Sequence, residues 1–347
     1  MKYILFCTNS YSFDILSPFV EIFKKKKYEW IWYIDKKIYN FFPFIDQNFT
    51  LKISDLIKYN SDVILVPGNE VPHYLKGVKV QLFHGFAGEK KGHFRIRNYF
   101  DIYLTQGPYF TNKFNILKKK YKNFEVKETG WSKLDCLFMN KFKEERSKLL
   151  EEYRAQNIIL YAPTFSPKLT SANYILPEID RIAKENSNFL FLIKFHPLME
   201  KKFINICNEI EHKRKNVILI TDQSILKSLC IADLLISDTS SCIYEFLLLD
   251  KPVISFKNIS KNILWDNFSE INKLRSLIDN NLKNDPFYAN RKIIFDNYHP
   301  YNDGESAKRM INSINDYIKN YGIPNCRRLS WYRKIKIYLK FGLINFN

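Results

Sequence analysis

ADLLISDTSSCIYEFLLLDKPVISF, residues Ala232 to Phe256, carries the clearest secondary-structure pattern in the chain. A short apolar run, Leu234 to Ile236, stops at the polar cluster Ser237-Asp238-Thr239-Ser240-Ser241. A second apolar segment follows, then Lys251-Pro252 and the strand-like run Val253 to Phe256. Strand, polar turn, helix, turn, strand is one βαβ unit of parallel sheet. In open α/β sheets ligands bind beyond the carboxyl ends of strands, where this polar turn falls. Thr239, Ser240 or Ser241 could cap the helix, and its first amides with the helix dipole suit an anion such as phosphate. The same residues also serve as plain helix caps in α/β proteins that bind nothing there.

Outward from this unit the alternation continues in both directions. Strands are predicted at Asn157 to Tyr161, Phe189 to Phe195 and Asn216 to Ile220, with helical patterns between them. The first half carries strand-like runs at Tyr3 to Cys7, Trp30 to Ile34, Val63 to Val66, Val78 to Phe83, Ile102 to Leu104 and Phe124 to Lys127. Helices are expected at Asp14 to Lys24, Leu51 to Tyr59 and Pro108 to Tyr121, the last with proline at its start. The charged segment Asn140 to Ala155 reads as the connection between two domains. Two α/β domains, each a parallel sheet wound with helices, is the expected architecture.

The 347 residues suit two domains of ordinary size, and 46% hydrophobic content supplies full cores. A formal net charge of +18 favours anionic partners: nucleic acid, acidic lipid or phosphorylated substrates. No zinc finger or other nucleic-acid signature accompanies the charge, so a nucleic-acid partner is not expected. Six scattered cysteines without a CxxC pair read as reduced thiols of a cytoplasmic protein and give no metal site. No signal peptide and no apolar run of spanning length is seen.

Polar residues recur at the predicted strand ends. After Val80 to Phe83 come His84-Gly85, then Gly88, Lys90, Lys91 and Gly92, where glycines permit close backbone approach and lysines could meet phosphate. After Ile158 to Leu160 comes Tyr161-Ala162-Pro163-Thr164-Phe165-Ser166, with hydroxyls beyond the strand. After Phe191 to Ile193 comes Lys194-Phe195-His196-Pro197, with Lys194 and His196 on one face of an extended chain. Each taken singly fits an ordinary turn. Together, drawn from both halves, they are candidates for one interdomain substrate cleft.

The series His84 to Gly92, TGWSKLDCLF (Thr129 to Phe138), ILYAPTFS (Ile159 to Ser166), KFHP (Lys194 to Pro197), Ala232 to Phe256 and YNDGESAKR (Tyr301 to Arg309) resembles the CDP-glycerol glycerophosphotransferase family of teichoic-acid and capsule synthesis. The resemblance spans roughly Val78 to Ile314. Members usually read HGTP, whereas Phe86-Ala87 follow His84-Gly85 here. The resemblance implies a GT-B-like fold, two Rossmann-like domains facing across a cleft. On this reading residues 1–145 form the acceptor-side domain, 146–325 the nucleotide-donor domain and 326–347 a C-terminal amphipathic helix. It implies transfer of glycerol phosphate, or another alditol phosphate, from a CDP-linked donor to a hydroxyl of a surface polymer or lipid-linked acceptor, with CMP released. No cofactor and no metal are expected. A nucleotide-sugar glycosyltransferase of the same architecture is the alternative.

An acceptor hydroxyl needs a proton acceptor near neutrality, a task suited to histidine. The resemblance puts His84 in that role; His196, the second catalytic candidate, is expected among the groups that meet the leaving group. Charge growing on the leaving group needs fixed donors and cations. Candidates are Thr164, Lys194, Asp238, Thr239, Ser240 and Ser241, with Glu245 towards a ribose and Asp303-Gly304 at a later helix start. Gly85, Lys90 and Lys91 are candidates on the acceptor side. The tail SWYRKIKIYLKFGL, Ser330 to Leu343, reads as a basic amphipathic helix. It either lies on an anionic membrane at the inner face or packs on the domains with its lysines solvated.

Overall fold

A computed structural model of the chain describes residues 1–86, 92–139, 141–327 and 329–342. The candidates Lys90 and Lys91 lie outside the described residues. Two compact units emerge: Met1–Asp135 with Asn297–Asn347, and Cys136–Asp296.

The first unit is built on β1 (Lys2–Cys7), β2 (Glu29–Ile34), β3 (Phe49–Thr50), β4 (Val63–Val66), β5 (Val78–Gln81), β6 (Ile102–Thr105) and β7 (Glu125–Glu128). Their order in the sheet is β3-β2-β1-β4-β5-β6-β7, and every pair is parallel. β1 and β4 are almost wholly buried, as expected of parallel strands covered on both faces. Much of the aromatic excess sits here: Phe6 stacks on Tyr33, and Tyr103 packs on Phe114 and Phe124.

The second unit holds β8 (Asn157–Tyr161), β9 (Phe189–Ile193), β10 (Val217–Leu219), β11 (Leu234–Ser237), β12 (Val253–Phe256) and β13 (Asp266–Phe268). Their order is β10-β9-β8-β11-β12-β13, again parallel throughout. The helix Ala172–Glu185 shows how it is covered: Ala172, Ile175, Leu176, Ile179, Ile182 and Ala183 recur at helical spacing and all are buried. Lys251 closes a turn of the opening motif, donating to the carbonyls of Leu229, Cys230 and Ala232 at the end of the helix Leu226–Ile231.

The α/β class and the parallel βαβ reading of Ala232 to Phe256 hold. The division of the chain differs from the expected one in two places. The charged segment is the helix Lys143–Glu152, and it belongs to the second unit. There Arg146 meets Asp233 at 2.8 Å, and the second oxygen of that carboxylate accepts from the Ile158 amide. Residues 297–325, expected in the donor domain, cluster with the first unit, as does the C-terminal helix. The cause is a polar interlock. The Asp135 carboxylate accepts from the Ser306 and Ala307 amides at 2.9 and 2.8 Å, the Trp131 amide donates to His299 Nε2, and Arg309 donates to the Thr129 carbonyl. Gly130, at φ +81°, sits where a Cβ would come within 2.5 Å of Ser306 Oγ. Only glycine fits this turn.

Candidate active site

In each sheet the strand order reverses once, and a ligand site is expected beyond the carboxyl ends of the strands flanking that point. In the second unit these strands are β8 and β11, with β9 beside β8. Thr164 follows β8, Lys194 and His196 follow β9, and Asp238 to Ser241 follow β11. Three predicted segments are thereby brought to one edge.

Asp238 organises that edge from inside. It is fully buried, and its carboxylate accepts from the Thr164 amide at 2.8 Å and from the Ser171 amide and hydroxyl at 3.0 Å. Its own carbonyl accepts from Asn258 Nδ2. Burial pushes the Asp238 carboxyl up to about 6, against the pull of these donors. The buried carboxylate ties the Thr164 and Ser171 segments to the end of β11. Thr239 and Ser240 are half-buried, and Ser240 Oγ lies 3.1 Å from Cys242 Sγ. Ser241 precedes the short helix Cys242–Leu247 but makes no side-chain cap, so the expected capping by these hydroxyls is not formed. Glu245 is buried in that helix and is not a solvated residue.

His196 has a defined donor and acceptor arrangement. Its Nδ1 accepts from the Leu198 amide at 3.1 Å, so the neutral ring carries its proton on Nε2. The ring stacks on Phe165 at 4.3 Å, which ties the strand ends of β8 and β9 together. Burial, with the Lys194 ammonium nearby, lowers its pKa and favours the neutral form. Lys194 is buried, and its ammonium donates to the Asp222 carbonyl. That bond fixes Lys194 as a local brace as well as a source of positive charge.

In the first unit the reversal lies between β1 and β4. Beyond these strands and β5 a pocket of about 340 Å³ opens, with Tyr11 and His84 on one side and Arg95 and Lys336 among its cations. His84 follows Phe83, whose φ of +61° is costly for a bulky residue and turns the chain sharply off the strand end. His84 Nδ1 donates to the Pro67 carbonyl at 3.2 Å in the tautomer that leaves the lone pair on Nε2. Tyr11 stacks on the ring at 5.1 Å. Gln106 holds the Gly85 carbonyl at 3.2 Å. Phe86 is buried edge-on against Trp131 at 5.2 Å and so belongs to the core.

Asp303 and Gly304 fall in the first unit, not with the donor candidates. Asp303 accepts from the Glu305 amide and from Arg309, and Asp135 takes the next two amides. The first amides of this helix start are taken by the chain's own carboxylates. Among the described residues no group of three or more His, Cys, Asp or Glu is placed to hold a metal ion. No described helix is long and apolar enough to cross a membrane.

Comparison with known proteins adds the decisive observation. The family model described as CDP-glycerol:poly(glycerophosphate) glycerophosphotransferase matches residues 87–261, half of the chain. The chain belongs to this family. Similar members include the teichoic acid ribitol-phosphate polymerase TarL of Staphylococcus aureus (strain NCTC 8325 / PS 47), 30% identical over 66% of this chain and 45% of that protein. The teichoic acid glycerol-phosphate primase of Bacillus subtilis (strain 168) is 27% identical over 62% of this chain and 58% of that protein. The chain thus spans about half the length of the curated relatives it matches. For the fold, the wall teichoic acid polymerase TagF superposes with a TM-score of 0.67 at 16% identity, covering 92% of this chain and 89% of that one. The S. aureus MnaA solved with UDP gives 0.67 at 14% identity, covering 92% and 97%.

Sequence reasoning missed Tyr11, Glu70, Arg95, Arg97, Lys336 and Lys340 as neighbours of His84. Only Arg95 and Arg97 lay close enough in sequence to suggest it.

Proposed function

We propose that the chain transfers an alditol phosphate, glycerol phosphate in the first instance, from a CDP-linked donor to a hydroxyl of a surface polymer or lipid-linked acceptor, releasing CMP. The observation that carries this reading is the contact of His84 Nδ1 with the Pro67 carbonyl at the pocket wall. A ring held by Nδ1–H on a carbonyl offers Nε2 to an acceptor hydroxyl, which must lose its proton as its oxygen bonds to the β-phosphorus. The second unit has the complementary provision. His196 offers an Nε2–H donor, and Thr164 and the Thr239 to Ser241 hydroxyls lie at the same sheet edge. Such groups suit the phosphates of a nucleotide donor, whose leaving oxygen gains negative charge. Asp238 keeps the Thr164 loop in place.

The last helix supports a position at the inner face of the membrane. Trp331, Ile335 and Leu339 share one face at helical spacing, and Trp331 and Leu339 are 73% and 83% exposed. A panel of thermal melts tests the donor assignment, because a ligand that binds only the folded state raises the melting temperature. Stabilisation by CMP and CDP-glycerol or CDP-ribitol is expected. A response to UDP- or GDP-sugars alone would move the chain to the glycosyltransferases.

A further inference from the structure

The final helix, Trp331–Phe341, brings more to the first unit than a hydrophobic patch. Ile337 is fully buried, Tyr338 stacks on Tyr74 at 5.4 Å, and Phe341 meets Phe6 edge-on at 5.6 Å. Docked by that face, the helix lines the His84 pocket with Lys336 and Lys340. Both ammonium groups hydrogen-bond to Glu70, which follows β4. Burial alone would raise the Glu70 carboxyl, but the two ammonium groups hold it below its usual range. Arg95 and Arg97 complete the wall, with Arg97 braced on the carbonyls of Gly92 and Arg95.

Four cations against one carboxylate leave the pocket strongly positive. An ammonium group has three donors, and each lysine gives one to Glu70, so donors remain for a ligand. The pocket volume of about 340 Å³ suits a small polar group and not an extended apolar one. His84 borders the same space, so an anion held there would sit close to the base.

We propose that Arg95, Arg97, Lys336 and Lys340 form an acceptor subsite that holds a phosphodiester of the acceptor chain, so that its terminal hydroxyl is presented to His84. This rests on the transferase reading above and adds its acceptor side. The C-terminal helix is then part of the acceptor site, and Glu70 is the positioning residue that spreads its two lysines.

The test uses the full chain and a synthetic tetramer of glycerol phosphate, titrated by calorimetry. The pair Lys336→Gln, Lys340→Gln should weaken tetramer binding at least tenfold. Lys336→Arg with Lys340→Arg should keep it within threefold. Both lysines are about half exposed, and unchanged melting curves would verify that the variants fold. CDP-glycerol, titrated separately, should bind all three proteins alike. Wild-type affinity of the Gln pair for the tetramer would overturn the subsite. So would lysine-dependent binding of phosphatidylglycerol vesicles with none of the tetramer, since the cations would then read a lipid surface. Failure of CDP-glycerol to bind any of the proteins would instead overturn the transferase reading, while the tetramer titration still judges the subsite.

Discussion

His84 and His196 are both imidazoles at strand ends, yet their backbone partners favour opposite tautomers. The Pro67 carbonyl accepts a hydrogen bond from Nδ1–H of one, and the Leu198 amide donates one to Nδ1 of the other. Nitrogen-15 spectra above pH 8 should show a protonated Nδ1 at His84 and a protonated Nε2 at His196; identical tautomers would break the assignment of roles. His84→Ala should lower turnover by about 10³-fold or more, in line with the loss of a general base, with CDP-glycerol affinity retained. His196→Ala should lower turnover by about 10²- to 10³-fold, as for a lost transition-state donor. Steady-state kinetics separate these outcomes. At Asp238 the folded chain holds a proton up to about pH 6, whereas the unfolded chain releases it near the ordinary aspartate value of 3.8. The folded state therefore binds more protons across that window, and this group's contribution to stability falls as pH rises from 4 to 6, by at most about 3 kcal/mol. Asparagine does not titrate. Wild-type stability minus that of Asp238→Asn, from urea melts at each pH, should fall across the window; a flat or rising difference would contradict the burial argument.

At the scale of elements, the strands were legible because parallel strands covered on both faces read as unbroken apolar runs. Val63–Val66, Asn157–Tyr161 and Val253–Phe256 lie where the sequence places them. Phe49–Thr50 and Asp266–Phe268 were not legible: each is two or three residues long and lies at a sheet edge, too short to carry a period. The tail helix was legible as basic and amphipathic, but not its seat, because Lys336 and Glu70 are separated by 266 residues. The packing of Ile337 makes a prediction. Ile337→Ala should weaken the docked helix by about 2–4 kcal/mol, the usual range for emptying a buried aliphatic site. Hydrogen exchange over residues 331–341 should accelerate correspondingly. Unchanged protection would mean that the helix is held by its ion pairs instead.

For the whole molecule, the two units follow from contacts that sequence order hides. A reader of the chain places a boundary in the charged segment near Asn140, since nothing local reveals that Asp135 is held by amides 171 and 172 residues away. The same holds for Arg327, which pairs with Asp101 in the interior and donates to the Gly77 carbonyl at 2.8 Å. Deleting residues after Asp296 would leave Asp101 a buried carboxylate without its guanidinium, a loss of about 3–5 kcal/mol by itself. Fragment 1–145 should accordingly fail to give a cooperative melt, whereas fragment 136–296, which keeps its own sheet and core, should give one. A stable, cooperative 1–145 fragment would favour the division expected from sequence.

The central claim is that His84 activates an acceptor hydroxyl against a CDP-linked alditol phosphate. The most direct measurement supplies CDP-glycerol and a glycerol-phosphate acceptor, then follows CMP release and acceptor extension together in wild type and His84→Ala. One CMP for each added unit in wild type, with both lost in the variant, is the predicted result. Transfer from a UDP-sugar in place of CDP-glycerol, or full turnover without His84, would contradict it.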